Sequence, residues 1–94
     1  MGLEEGAGSL SSTEEVKRLL EKTKTADRLE RKNALLSVIS YYMTEQGKIE
    51  LVRLSKEDLH ELRMNFIGYC RFLQTHRSQD DETIMTFLYT LHLL

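Results

Sequence analysis

An all-α fold follows from three features of this chain: a near-absence of helix breakers, polar caps followed by acidic residues, and apolar residues at helical spacing. Proline is absent, and the five glycines stand at positions 2, 6, 8, 47 and 68. These features predict a small bundle of four helices at 13–24, 27–46, 56–76 and 80–94, in up-down order or as two helical hairpins. Residues 12–94 form a single domain. Residues 1–11 form a flexible tail, because their Gly, Ser and Glu content leaves too little apolar surface to offset ordering entropy.

The first helix starts at a capping box, Ser12-x-x-Glu15, just ahead of Val16, Leu19 and Leu20. Continued unbroken to Gln46, it would carry Ala26 and Leu29 roughly 100° around the axis from that cluster, and Leu36, Ile39 and Met43 roughly 180°. A coiled-coil seam drifts by only about 20° per heptad, so these groups share no seam. The break is expected at Thr23 to Asp27, where two threonines lower helix propensity and Asp27-x-x-Glu30 offers a new cap.

The second helix runs from Asp27 to Gln46 and is expected to stop at Gly47 as its C′ residue. Lys48 to Leu54 partly alternates, but no second strand exists to pair with it. It reads as an extended connector pinning Ile49, Leu51 and Leu54 onto the bundle. Ser55-x-x-Asp58 caps the third helix, whose Leu59, Leu62, Phe66, Tyr69 and Leu73 repeat at three-four spacing. Gly68 lies inside it, which suggests a close helix crossing. Ser78 with Asp80, Asp81 and Glu82 opens the fourth helix, apolar on most sides from Ile84 to Leu94 and ending with no cap or basic last turn.

Composition excludes several classes. At 94 residues, 40% apolar and 30% charged, the chain is an ordinary charge-rich domain, and a net charge of −2 argues against a general polyanion binder. The single cysteine, Cys70, rules out an internal disulfide framework and points to a reducing compartment. No stretch approaches the roughly 18–20 apolar residues of a membrane span. The start lacks the basic and apolar regions of a signal peptide, and Gly6 stands where a myristoylation signal takes Ser or Thr. Cytoplasm, or the nucleus of a eukaryotic cell, is the expected location.

No catalytic, metal-ligating or cofactor-binding residue is expected. His60-Glu61 lacks the second histidine of a zinc helix, since position 64 is Met64. Cys70 and His76 are six apart and share no helix face, with no second close pair of ligands. Cys70 falls beside Phe66 and Leu73, where a cysteine behaves as a small hydrophobe. No Gly-rich loop lies between a strand and a helix to cradle phosphate.

Two features point toward partners. Residues 17–32 hold seven basic side chains against three acidic ones, about +4, while residues 55–94 carry about −2. Lys17, Lys24, Arg28 and Arg31 fall on roughly one helical face, either a solvated surface, a site for an acidic protein or one for nucleic acid. The apolar ends are the second feature. Tyr41, Tyr42 and Met43 cannot all face one core, and the last helix is apolar nearly all round. The expectation is a non-enzymatic interaction or adaptor module, self-associated or bound to a partner protein through Tyr42, Phe87, Leu88 and Leu91. The alternative is a small nucleic-acid-binding regulator using Lys17, Lys24, Arg28 and Arg31.

Overall fold

The computed structural model describes residues 12–73 and 77–94, without the side chains of residues 12 and 13. The expected tail at 1–11, the Ser12 cap and His76 lie outside the described residues. Five helices are present among them and no strand: α1 (Ser12–Lys22), α2 (Arg28–Tyr42), α3 (Glu45–Val52), α4 (Lys56–Cys70) and α5 (Gln79–His92). The all-α bundle is as expected, with one more helix than the sequence predicts.

The break after α1 falls where expected. Thr23 N and Lys24 N close a last turn onto Leu20 O and Glu21 O, and Asp27 Oδ1 then accepts from Leu29 N (3.0 Å) and Glu30 N (3.4 Å) to cap α2. Thr23 is buried, and its hydroxyl lies 2.5 Å from Asn65 Oδ1, tying this turn to α4. The change of direction lets Val16 and Leu20 join the same core as Leu35, Val38 and Ile39.

Gly47 is not the stop of α2. That helix ends at Tyr42, and Thr44 caps a separate α3 by accepting from Gly47 N through Oγ1 at 2.9 Å. No glycine among the described residues has positive φ, so the left-handed C′ role does not arise. Gly47 is needed for space instead: a Cβ there would lie 2.0 Å from Tyr41 O. The segment expected to be an extended connector is therefore mostly α3. A capped helix with Glu45 in its first turn satisfies its own backbone groups, which an unpaired extended segment cannot. Tyr41 Oη donates to Glu50 Oε1 (2.8 Å) and pins α3 against α2. Leu51 is buried and Leu54 packs on the core, whereas Ile49 is exposed.

α4 and α5 start as read from the sequence, with Ser55 Oγ accepting from Asp58 N and Ser78 closing a reciprocal capping box with Asp81. Leu62, Phe66 and Tyr69 of α4 are buried, with Leu59 and Leu73 packed beside them. α2 is the central element, packing against each of the other four helices. At the middle of the core Phe87 of α5 stacks on Tyr42 (6.2 Å between centroids) and tilts against Phe66 (5.3 Å).

Two further expectations are corrected. Gly68 sits at no close helix crossing, because a Cβ there would meet nothing within 4 Å. The end of α5 is not without a cap: Arg63 of α4 donates through Nε and Nη2 to Leu91 O at 3.1 and 3.0 Å. His92 also stands in the last turn. The cap comes from 28 residues away in sequence, which is why local reading missed it.

Candidate interaction site

Three of the four residues expected to meet a partner belong to the core. Tyr42, Phe87 and Leu91 are 3%, 4% and 0% exposed, and Leu88 is half-buried against them. A helix apolar on most sides places its best stripe inside, and Tyr42 completes the aromatic cluster. Tyr42, Phe87 and Leu91 hold the bundle together and offer no free surface, and Leu88 keeps only part of its side chain accessible.

The four basic residues also do not form one face. Lys17 is on α1, Lys24 pairs with Glu21 (3.2 Å) at the break, and only Arg28 and Arg31 share a helix. Arg31 falls on the same side of α2 as Leu35, Val38 and Tyr42, one turn beyond the end of the core. Its stem is therefore half-buried rather than solvated. The Arg31 and Arg28 guanidiniums lie over the Tyr69 ring, 5.8 and 4.7 Å from its centroid. Among the described residues, Arg31 Nε is the buried side-chain nitrogen left without a hydrogen-bond partner.

Tyr69 organises this end of the molecule. It is 2% exposed, and its hydroxyl donates to Asp81 Oδ1 at 2.6 Å. Burial, with the hydrogen bond to Asp81 second, pushes the Tyr69 hydroxyl up to about 12. Burial would raise the Asp81 carboxyl too. Hydrogen bonds from Tyr69 and Ser78 and the charge of Arg28 outweigh burial and hold it below its ordinary value. Asp81 therefore stays ionised at neutral pH, facing the ring from the side of α5.

Above this floor lies a cleft of about 700 Å³, bounded by Arg28, Leu29 and Lys32 of α2, Phe72 after α4, and Asp81. Leu29 and Phe72 are 59% and 61% exposed, and the Arg71 guanidinium sits 5.5 Å over the Phe72 ring. A second cavity of about 120 Å³, sharing Tyr69 as a wall, opens between Thr23, Arg31, Asn65 and Gly68. Met64 and Gly68, one turn apart on α4, line this second cavity, and Phe72, just past the end of α4, lines the first. The sequence held a signal for part of this surface. The core stripe of α4 points well over 100° away from Met64 and Gly68 at roughly 100° per residue, leaving Met64 without a core to join.

Catalytic chemistry finds little to use here. Burial, and then the charge of Asp81, pushes the Cys70 thiol upward and away from the reactive thiolate. Among the described residues no group of three or more His, Cys, Asp or Glu side chains is placed to hold a metal. No helix among them is long and apolar enough to cross a membrane. Comparison with protein-family models, curated proteins and solved structures finds no match to this chain, so the site is interpreted from its own residues.

Proposed function

We propose that the chain is a non-enzymatic protein-interaction module that docks a partner through the groove between α2 and the C-terminal half of α4. The observation that carries this reading is the pairing of Leu29 and Phe72. Two large apolar side chains stand more than half exposed along one cleft, rimmed by arginines, on a bundle whose core is complete without them. Apolar anchors with arginine beside them are the composition of interface hot spots. The lone Cys70 favours a reducing compartment, cytoplasm or nucleus, as its place of action.

Affinity capture from the native source tests this, comparing the wild-type chain with a Leu29→Ser/Phe72→Ser double variant and with Val52→Ser. Val52 is 70% exposed on the remote α3 and serves as the control. A protein retained by wild type and by Val52→Ser, and lost with the double variant, supports the groove. Equal retention by all three refutes it.

A second reading, binding of nucleic acid, is favoured by the grouping of Arg28, Arg31, Lys32 and Arg71 around two aromatic rings. Affinity for single-stranded oligonucleotides that falls steeply with salt and is lost in Arg28→Glu would establish it. No binding at low salt ends it.

A further inference from the structure

We infer that the groove beside Gly68 receives an acidic amphipathic helix of another protein, one of whose carboxylates reaches Arg31 while its apolar residues cover Leu29 and Phe72. This rests on the docking reading above and specifies the chemistry of the occupant.

Gly68 supplies the first argument. A glycine in the middle of a helix is unfavourable, and it persists where something must come close to the backbone. Among the described residues nothing does, since a Cβ at Gly68 would have no neighbour within 4 Å. The missing side chain therefore leaves the backbone open to a group from outside. Met64 lies one turn before Gly68 on α4 and Phe72 just past the end of that helix, so apolar side chains stand on both sides of the opening.

Arg31 supplies the second. Its Nε–H is buried without an acceptor, and the cavity it borders also carries the Thr23 and Asn65 polar groups. An arginine fork takes a carboxylate better than any neutral acceptor, because both hydrogen bonds are charge-assisted and their geometry matches.

The third is the balance of charge. Arg31 and Arg71 form no salt bridge among the described residues, Arg28 meets Asp81 only through its charge, and Lys32 reaches Asp80 at 3.9 Å, so the cations outnumber the carboxylates here. Asp81 is turned toward Tyr69 and Ser78. The rim is thus cationic and its anchors are apolar, so the complementary surface is both acidic and apolar. Nucleic acid fits less well, because phosphates find no use for the exposed Leu29 and Met64.

The probe is a fluorescent helical peptide of roughly 18 residues, with leucines at i, i+4 and i+7 and glutamates beside them, together with its Glu→Gln counterpart. The Glu peptide is expected to bind at least tenfold more tightly than the Gln peptide, by an advantage that shrinks as salt is raised. Gly68→Leu should fill the opening and weaken the Glu peptide at least tenfold while leaving thermal stability at or above wild type. Arg31→Lys keeps the charge without Nε and should weaken it similarly. Equal affinity for the two peptides, lost in Phe72→Ser, overturns the acidic occupant but leaves the docking reading standing. Binding of neither peptide overturns the inference. So does a single-stranded oligonucleotide that displaces the peptide, or a dimer of the free chain abolished by Gly68→Leu. The docking reading itself fails by the separate test on Leu29 and Phe72.

Discussion

Gly47→Ala and Gly68→Ala are the same chemical change, each inside a helix, and they should move stability in opposite directions. At Gly47 the new Cβ would stand 2.0 Å from Tyr41 O and 2.8 Å from both Tyr41 C and Tyr42 Cα. All three are backbone atoms, and the carbonyl cannot swing aside freely, because it accepts from Thr44 N (3.1 Å) and Thr44 Oγ1 (2.7 Å). Relief requires α3 to move away from the last turn of α2, loosening the Tyr41–Glu50 hydrogen bond and the seat of Leu51. Overpacking of this kind costs about 1–3 kcal/mol, which exceeds the few tenths to about 1 kcal/mol that alanine returns in helix propensity. At Gly68 no such opposition exists, so alanine should gain about 0.5–1 kcal/mol.

For a domain of this size each kcal/mol moves the melting temperature by about 4–8 °C. Gly47→Ala is therefore expected to melt several degrees below wild type and Gly68→Ala a few degrees above. Circular dichroism at 222 nm with urea unfolding gives both values. The same sign for the two variants would refute the steric argument. A loss at Gly68 would mean that the space beside it is closed in the folded protein.

Three further outcomes follow from the polar contacts. Asp81→Asn should cost about 1–3 kcal/mol at neutral pH. Because the Asp81 carboxyl is held below its ordinary value, its contribution is present above about pH 4 and is lost as pH falls through the folded-state value. Urea titrations should therefore show the gap between wild type and Asp81→Asn closing in acid. On the alkaline side Tyr42 and Tyr69 are both raised to about 12, chiefly by burial, so the neutral phenols stabilise the fold below about pH 10. That stability, about 2–3 kcal/mol for each, should disappear as pH rises toward 12, read as late tyrosinate absorbance coincident with unfolding. Arg63→Met removes both donors to Leu91 O and should cost about 1–2 kcal/mol, with faster amide exchange in the last turn of α5 and little change in α1.

Most of this fold is legible locally, the Thr44 cap of α3 being the exception. Caps such as Asp27, Ser55 and Ser78 announce themselves within four residues, and the α4 stripe from Leu59 to Leu73 repeats often enough to be unambiguous. The other differences share a physical cause, because they depend on residues far apart in sequence or on space. Gly47 looks like a helix stop by composition, and only the position of Tyr41 O shows that it is a spacer inside α3. The cap of α5 comes from Arg63, and nothing near Leu91 reports it. Tyr42, Phe87 and Leu91 look like excess apolar surface until Phe66 arrives between α2 and α5. The basic run was visible as charge, but the division of its residues between α1, the break and α2 depends on the direction taken after Thr23. Arg31 is the clearest case. Its position on the core side of α2 is periodic and legible, yet the burial of its Nε without a partner depends on the packing of α4 against it.

Tyr69 also explains how a bundle this small keeps a groove open without sacrificing order. Two guanidiniums on neighbouring turns of α2 would repel each other in an apolar site. Here both lie over the Tyr69 ring, and the ionised Asp81 accepts a hydrogen bond from the hydroxyl of that same ring. The ring is fixed at its edge by Asp81, which the α5 capping box fixes in turn. Arg28 and Arg31 are thereby held in place before any partner arrives, through contacts that belong to the fold. Side-chain ordering is one of the main costs of association, and at this site most of it has already been met in the free protein. If a partner docks here, Arg28 and Arg31 are already oriented by the ring, whereas Arg18 and Lys24 pair with carboxylates of α1. That difference singles out the cluster at Tyr69 from the rest of the basic run.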